Sequence, residues 1–322
     1  MLSGPRPSPP TEDELAALVG HRMPGGRAIA EPYLDWLVRD ATGAQQRAPG
    51  DDAVHPAVAF GLAQGGVGLE LEDVFALFGA SSQDGPLLGE WSLRLHRPLR
   101  VGAEYAVSAR VERTRRRRGR SGVFDLVTPL IELAPDGGAV EIEVRPTYVF
   151  PRRGLEPADG PSDGPSDGPD DSSGGTEQAG SPGVTEPAGE PLPELSLQVR
   201  PEPMKVMAAI LRDPNMIHLD PAETARLGMG DRVVNQGPLN LGYVHSMLAA
   251  YAGGAGRIRS TTFRFHGPVH AGDRVVAGGV VTGPADAGGV GCAVWLDVEG
   301  GRRAVSGTAV IDPCVGPGSV RV

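Results

Sequence analysis

The chain has two cysteines in 322 residues, Cys292 and Cys314. That scarcity excludes a disulfide scaffold and a zinc site built from cysteine. No apolar run is long enough to span a bilayer, which needs about 20 residues as a helix. The opening residues lack a basic stretch followed by an apolar one, so no secretory signal is expected and the cytoplasm is the expected compartment. One stretch lacks something else. Between Gly154 and Glu194 there are ten acidic residues and no Lys or Arg. The whole chain carries 40 acidic and 30 basic residues, so without those ten the remainder has 30 of each and is formally neutral. The acidity belongs to one segment and identifies no partner for the rest.

The same stretch has a repeated Asp-Gly-Pro-Ser and almost no large apolar residue. Such a composition cannot bury enough surface to offset the entropy of ordering. Residues 152–194 are therefore expected to be a disordered linker, as is the Pro/Ser-rich start. A chain of this length suits two domains at roughly 100–200 residues each. The expected halves are residues 11–151 and 195–322.

In the first half, Thr11 and Glu14 mark a capped helix start, and residues 31–39 continue as helix from Pro32. Residues 56–79 are apolar with small residues along them, which predicts one long helix against a sheet. Trp91–His96 alternates at period 2, as a half-buried strand does. Strands at about 103–113 and 122–133 flank Arg113-Thr-Arg-Arg-Arg-Arg-Gly-Arg120. Arginines of this density can clamp a phosphate-bearing ligand, but Gly119 and Gly122 point to a solvated hairpin tip. A strand from Ala139 to Phe150 closes the half.

The second half repeats the plan. A short strand (195–200) and a helix (203–212) lead to Leu211-Arg-Asp-Pro-Asn-Met-Ile-His-Leu-Asp220. Asp213 and His218 lie five positions apart, about 140° on a helix, so they do not share a helical face. Pro214 drives the preceding residue out of the α region, and a turn can then bring both to one pocket wall. Free pKa values of roughly 3.9 and 6.5 suit an acid–base pair. The plainer alternative is a turn with a half-buried histidine. A one- or two-turn helix at 221–228, a helix from Gly237-Pro238 to Ala252, and four strands at 257–266, 273–283, 290–299 and 303–312 follow. Ser92–Gly102 can be laid on Thr262–Gly272, with Arg94, His96, Pro98 and Gly102 matching Arg264, His266, Pro268 and Gly272 at an offset of 170. Two copies of one helix-on-sheet unit imply an α+β fold with an antiparallel sheet around a helix in each half.

Asp213-x-Asn215-x-x-His218, followed by Pro268-Val-x-x-Gly272-Asp273, resembles the MaoC-like hydratase/dehydratase family, or hydratase 2, in a double hot-dog arrangement. The match is strong over about 203–312. The first half keeps the strand repeat but lacks the Asp…His turn. The resemblance implies reversible hydration of a trans-2-enoyl thioester to an (R)-3-hydroxyacyl thioester. Asp213 and His218 would hold the water and Asn215 would orient them. Gly237 would supply an oxyanion donor at the helix start, with Gln236 before it and Pro238 at N1. It further implies a CoA or acyl-carrier-protein thioester as substrate, and a homodimer or a heteromeric hydratase as the assembly. No metal or cofactor is expected, nor a nucleic-acid or membrane partner. Arg212, Met216 and Gln236 depart from the family's usual residues and bear on substrate range. Two alternatives stand: a hot-dog thioesterase, and a non-catalytic acyl-thioester-binding subunit. His96 and His266 read as structural, His245 as core or interface, and His21, His55 and His270 have no partner visible in sequence. The seven histidines form no metal-spaced set.

Overall fold

Period-2 alternation and capped apolar segments produce ten strands and seven α-helices among the described residues. A computed structural model describes residues 8–119, 122–152, 155 and 189–312. The segments expected to be disordered at 1–7 and 156–188, and Cys314, lie outside them. The first half runs α1 (Glu12–Ala17), β1 (Gly26–Ile29), α2 (Pro32–Thr42), α3 (Val58–Gly66), α4 (Leu71–Leu77), β2 (Leu87–Leu95), β3 (Glu104–Gly119), β4 (Gly122–Ala134) and β5 (Ile142–Pro151). The second runs β6 (Leu195–Gln198), α5 (Pro201–Leu211), α6 (Pro221–Arg226), α7 (Gly237–Ala252), β7 (Ile258–Phe265), β8 (Arg274–Pro284), β9 (Val290–Val298) and β10 (Arg302–Ile311). Thr11 caps α1 as its sequence predicts: its hydroxyl accepts from Glu14 N at 3.2 Å and Glu14 accepts from Thr11 N at 2.8 Å.

All ten strands form one antiparallel sheet in the order β1-β3-β4-β5-β2-β7-β10-β9-β8-β6. The order reads as the same unit twice, the second reversed. β2 and β7 meet at the centre, where Ser92 lies directly opposite Thr262. Those residues are 170 apart, the offset of the sequence repeat, so a pseudo-two-fold axis passes between them. In the second half α7 is packed against β6 to β10, and α3 covers β1, β3, β4 and β5 in the first. From Pro238 to Leu248 every residue of α7 is buried. A helix apolar on all sides belongs inside a core.

Three expectations are corrected. Residues 56–79 form two helices instead of one, because Gly68 adopts φ +79 and sits where a Cβ would lie 2.4 Å from Gly25 O. Only glycine takes that conformation without cost. The hairpin does turn at Gly119 and Gly122, as expected, but the arginine run before it lies within β3 and not in the tip. Its Arg116 turns inward to Asp125, a residue with no exposed surface. Nor does the linker extend over all of 152–194. Arg152 is buried against Asp125, and Glu190 and Leu192 hydrogen-bond along β8.

His55 and His245 meet near the seam between the halves, with ring centroids 6.1 Å apart. His55 Nδ1 accepts from Ala57 N at 3.3 Å, and its Nε2 is 3.2 Å from the Ser246 hydroxyl. His245 Nε2 is 3.0 Å from Thr261 Oγ1. Burial holds both rings neutral: His55 is pushed down to about 3, with Arg39 adding to the effect. His245 is likewise held well below 6.5 by burial and by His55. The unfolded chain binds a proton at each ring below about pH 6.5 while the folded chain does not. Their contribution to stability is therefore complete above pH 6.5 and lost as pH falls towards the folded values. Each supplies a slope of about 1.4 kcal/mol per pH unit in that window. Urea unfolding at pH 7 and pH 5 should show the loss, and H245Q should reduce the slope. An H245Q slope equal to wild type would rule out a neutral buried His245. Among the described residues no helix is long and apolar enough to cross a membrane.

Candidate active site

The site begins where α5 ends. Arg212 takes the left-handed conformation, φ +49, and Asp213 N then donates back to Ala208 O at 2.9 Å. Pro214 cannot continue the helix. The Asp213 carboxylate accepts from Asn215 N at 3.0 Å, and the Asn215 side chain caps a single 3₁₀ turn, Met216–His218. Asn215 is buried, and its Nδ2 donates to Pro86 O in the first half at 3.3 Å. These local bonds bring His218 Nε2 to 3.5 Å from Asp213 Oδ2, with the two side chains only 10% and 11% exposed.

The tautomer follows from the other side of the ring. His218 Nδ1 is 2.7 Å from Val234 O, and a carbonyl only accepts, so Nδ1 carries the hydrogen. Burial lowers the His218 pKa, against the opposing pull of Asp213 and of the Val234 carbonyl. The neutral ring therefore presents an Nε2 lone pair towards a carboxylate oxygen. Two acceptors facing one another at this distance call for a donor between them. A molecule with two O–H bonds satisfies both.

Val234 also ties His218 to the start of α7. Val234 N donates to Ile217 O, and the chain then reaches the helix in two residues. The cap is one position earlier than the Gly-Pro pair predicts: Gln236 is the N-cap, Gly237 is N1 and Pro238 N2. Proline is tolerated in either of the first two positions, since neither N–H has an intrahelical partner. Gly237 keeps a free first-turn N–H, and a Cβ there would lie 2.9 Å from Leu88 Cδ2. Gln236 is directed elsewhere, with Nε2 donating to Met204 O at 2.9 Å. Asp213, Asn215 and His218 thus form one cluster, Gly237 begins the adjoining helix, and Gln236 serves the contact between α5 and α7.

The family model of the MaoC-like domain matches residues 184–293. Residues 184–293 belong to the MaoC-like domain family. No curated protein matches the sequence. Solved structures share the fold at low identity. A MaoC-like dehydratase aligns at 15% identity over 93% of this chain and 99% of its own, with a TM-score of 0.69. A MaoC-like dehydratase from Phytophthora capsici aligns at 16% identity over 94% of this chain and 99% of its own, with a TM-score of 0.63. A conserved hypothetical protein from Mycobacterium tuberculosis, described as a double hotdog fold, aligns at 14% identity over 94% and 98%, with a TM-score of 0.62. The chain has the double hot-dog fold.

The first half also packs around these residues. Leu88 lies against Gly237, and its cross-strand partner Tyr148 is close enough to Asp213 for the carboxylate to raise the phenol's pKa further, after burial. Gln64 Nε2 donates to Leu211 O at 3.1 Å, and Glu70 pairs with Arg212 at 2.7 Å. A cleft of about 130 Å³ lies beside that pair, between residues 64–71 and 210–212. Sequence reading missed all of these, because each contact joins residues 60 or more positions apart. Ala53 bridges Arg100 as Val234 bridges His270, and Arg100 and His270 differ by the repeat offset. His55 therefore occupies the place of Gln236. Where the MaoC-like domain leaves α5 for its Asp…His turn, the first half leaves α2 through Gly43, left-handed like Arg212, and Ala44 N returns to Arg39 O as Asp213 N does to Ala208 O, so alanine stands in the aspartate's place. Among the described residues no three His, Cys, Asp or Glu side chains converge as a metal site.

Proposed function

We infer that the chain catalyses the reversible hydration of a trans-2-enoyl thioester. The observation that carries this is the pair of acceptors, His218 Nε2 and Asp213 Oδ2, 3.5 Å apart on side chains that are almost fully buried. A water donating to both is held with its oxygen lone pair free to attack C3 of the enoyl group. One member of the pair takes a water proton as the C3–O bond forms. The electrons of the double bond move towards the thioester oxygen, and the member that took the water's proton returns it to C2, so that water supplies both the hydroxyl at C3 and the hydrogen at C2 and both residues end as acceptors again. Asn215, fixed by Pro86 O, holds the turn in shape. The oxygen that gains charge needs a donor already in place, and the first-turn N–H of α7 at Gly237 is suited to that role. The (R) product and the CoA or carrier-protein thioester follow the family resemblance.

Residues 195–312 would hold the chemistry and the unit spanning 11–151 would enclose the acyl chain through Leu88, Tyr148 and the cleft at 64–71. The test is loss of enoyl-thioester absorbance with crotonyl-CoA and longer enoyl-CoAs, with free thiol assayed in parallel. Absorbance loss without thiol release supports hydration. Thiol release as the main product would make the protein a thioesterase, and binding without turnover at every chain length would make it a binding subunit. Gly237→Ala should lower kcat/KM at least ~10-fold, because the added Cβ presses Leu88 into the pocket, while costing about 1–3 kcal/mol of stability as an overpacking change. Unchanged kinetics in this variant would remove the helix start from the site.

A further inference from the structure

The proposed reaction leaves Arg113–Arg120 unused, although it is the densest charge run in the chain. Within β3 its side chains alternate between the two faces of the sheet. Arg116 goes inward to Asp125, and Arg118 pairs with Glu12 at 2.7 Å. Arg115 and Arg117 lie on the opposite face. Directly opposed residues of an antiparallel pair share a face, so Arg115 stands beside Leu126 and Arg117 beside Phe124. Val149 and Pro151 of β5 form the next row. Phe124 and Leu126 are half-buried, so the two guanidiniums rise from an apolar floor.

Neighbouring arginines of β3 and β5 meet carboxylates: Arg110 with Glu132, Arg113 with Glu90, Arg145 with Glu112 and Glu143. Among the described residues Arg115 and Arg117 have no such partner, because β4 offers them leucine and phenylalanine. The missing negative charge lies close by in the chain. β5 ends at Pro151, opposite Phe124, and within five residues the acidic segment begins. Glu156, Asp159, Asp163, Asp167, Asp170 and Asp171 follow in 16 residues with no Lys or Arg among them. Two inter-strand steps, about 10 Å, separate β5 from β3, while five extended residues span up to about 17 Å.

We propose that the Arg115–Arg117 face docks the chain's own acidic segment, Glu156 to Asp171. Tethering gives its carboxylates an effective concentration on the order of millimolar at this face. Between exposed charges the attraction is screened beyond about 8 Å at physiological ionic strength, so the contact is salt-dependent. While docked, the segment neutralises a basic, apolar-floored surface that would otherwise attract other polyanions.

The test uses the full chain and its single native lysine, Lys205. R115K and R117K keep the charge and add an amine that a water-soluble carbodiimide couples to a carboxylate in contact. Cross-linked peptides are read by mass spectrometry, and mixed ¹⁴N and ¹⁵N protein separates links within one chain from links between chains. Links within one chain from both positions to Glu156–Asp171, at least ~5-fold more abundant at about 50 mM salt than at about 1 M, support the proposal. No link at either salt overturns it. So do links formed only between chains, which would assign the face to a second copy. Equal yields from Lys205 and from the introduced amines would also overturn it, since the segment would then have no preferred site.

Discussion

Asp213→Asn is expected to lower kcat by about 10²–10⁴-fold, the range for a positioned acid–base group. The variant should fold, because an amide oxygen can still accept from Asn215 N in place of the carboxylate. His218→Gln should lose a similar factor while retaining a donor for Val234 O. Combining the two should cost little more than either alone, because residues that act as a unit are strongly non-additive. The pH profile provides a second check. Burial holds His218 below its usual pKa, so its basic form persists below pH 6.5 and activity should not fall through the ordinary histidine range. Steady-state kinetics of the two variants and the double variant on one enoyl-CoA decide the matter. Retention of activity within about threefold in either single variant would place the chemistry elsewhere.

The second large effect concerns stability. Asp125 has no exposed surface and accepts from Arg116 Nε at 2.6 Å and Arg152 Nε at 2.6 Å. Two cations against one anion leave an excess positive charge, which carbonyls absorb: Arg152 donates to Gly79 O and Phe78 O, and Arg116 to Pro10 O. The Arg152 guanidinium also lies 5.5 Å from the Phe150 ring centroid. Asp125→Asn leaves two buried guanidiniums without a counterion and should cost about 3–5 kcal/mol in urea unfolding. Glu104→Gln is the matched control. Its pair with Arg27 is more than half exposed on both sides, and surface pairs are worth about 0–1 kcal/mol. Losses of similar size in the two variants would contradict the assignment of the Asp125 cluster as the lock on the N-terminal segment, α4 and β3.

The parts legible in the sequence are those fixed by short-range periodicity or by proline. Residues 237–252 are apolar on every face and bounded by Gly-Pro and Gly-Gly, and α7 covers that span. The strand repeat carried the topology, because Arg94 and Arg264 keep their places in equivalent strands. Pro214 made the Asp213–His218 turn readable. Arg116 was hidden by its neighbours, since in a run of arginines composition gives no sign of which one turns inward. Register decides that, and the trace was an aspartate at 125 set between Phe124 and Leu126. Tyr148 left no trace, because what defines it is contact with residues far along the chain.

The axis between Ser92 and Thr262 has a consequence for stoichiometry. A symmetric pair of hot-dog units offers two equivalent positions for an Asp…His turn. Here one is taken by Asp213 and His218, and at the other, after α2, residues 44–49 hold neither aspartate nor histidine. On the proposed reaction, the molecule is a dimer in shape and a monomer in chemistry. Titration with a tight-binding substrate analogue should saturate at one equivalent per chain, because the second position offers no acid–base pair.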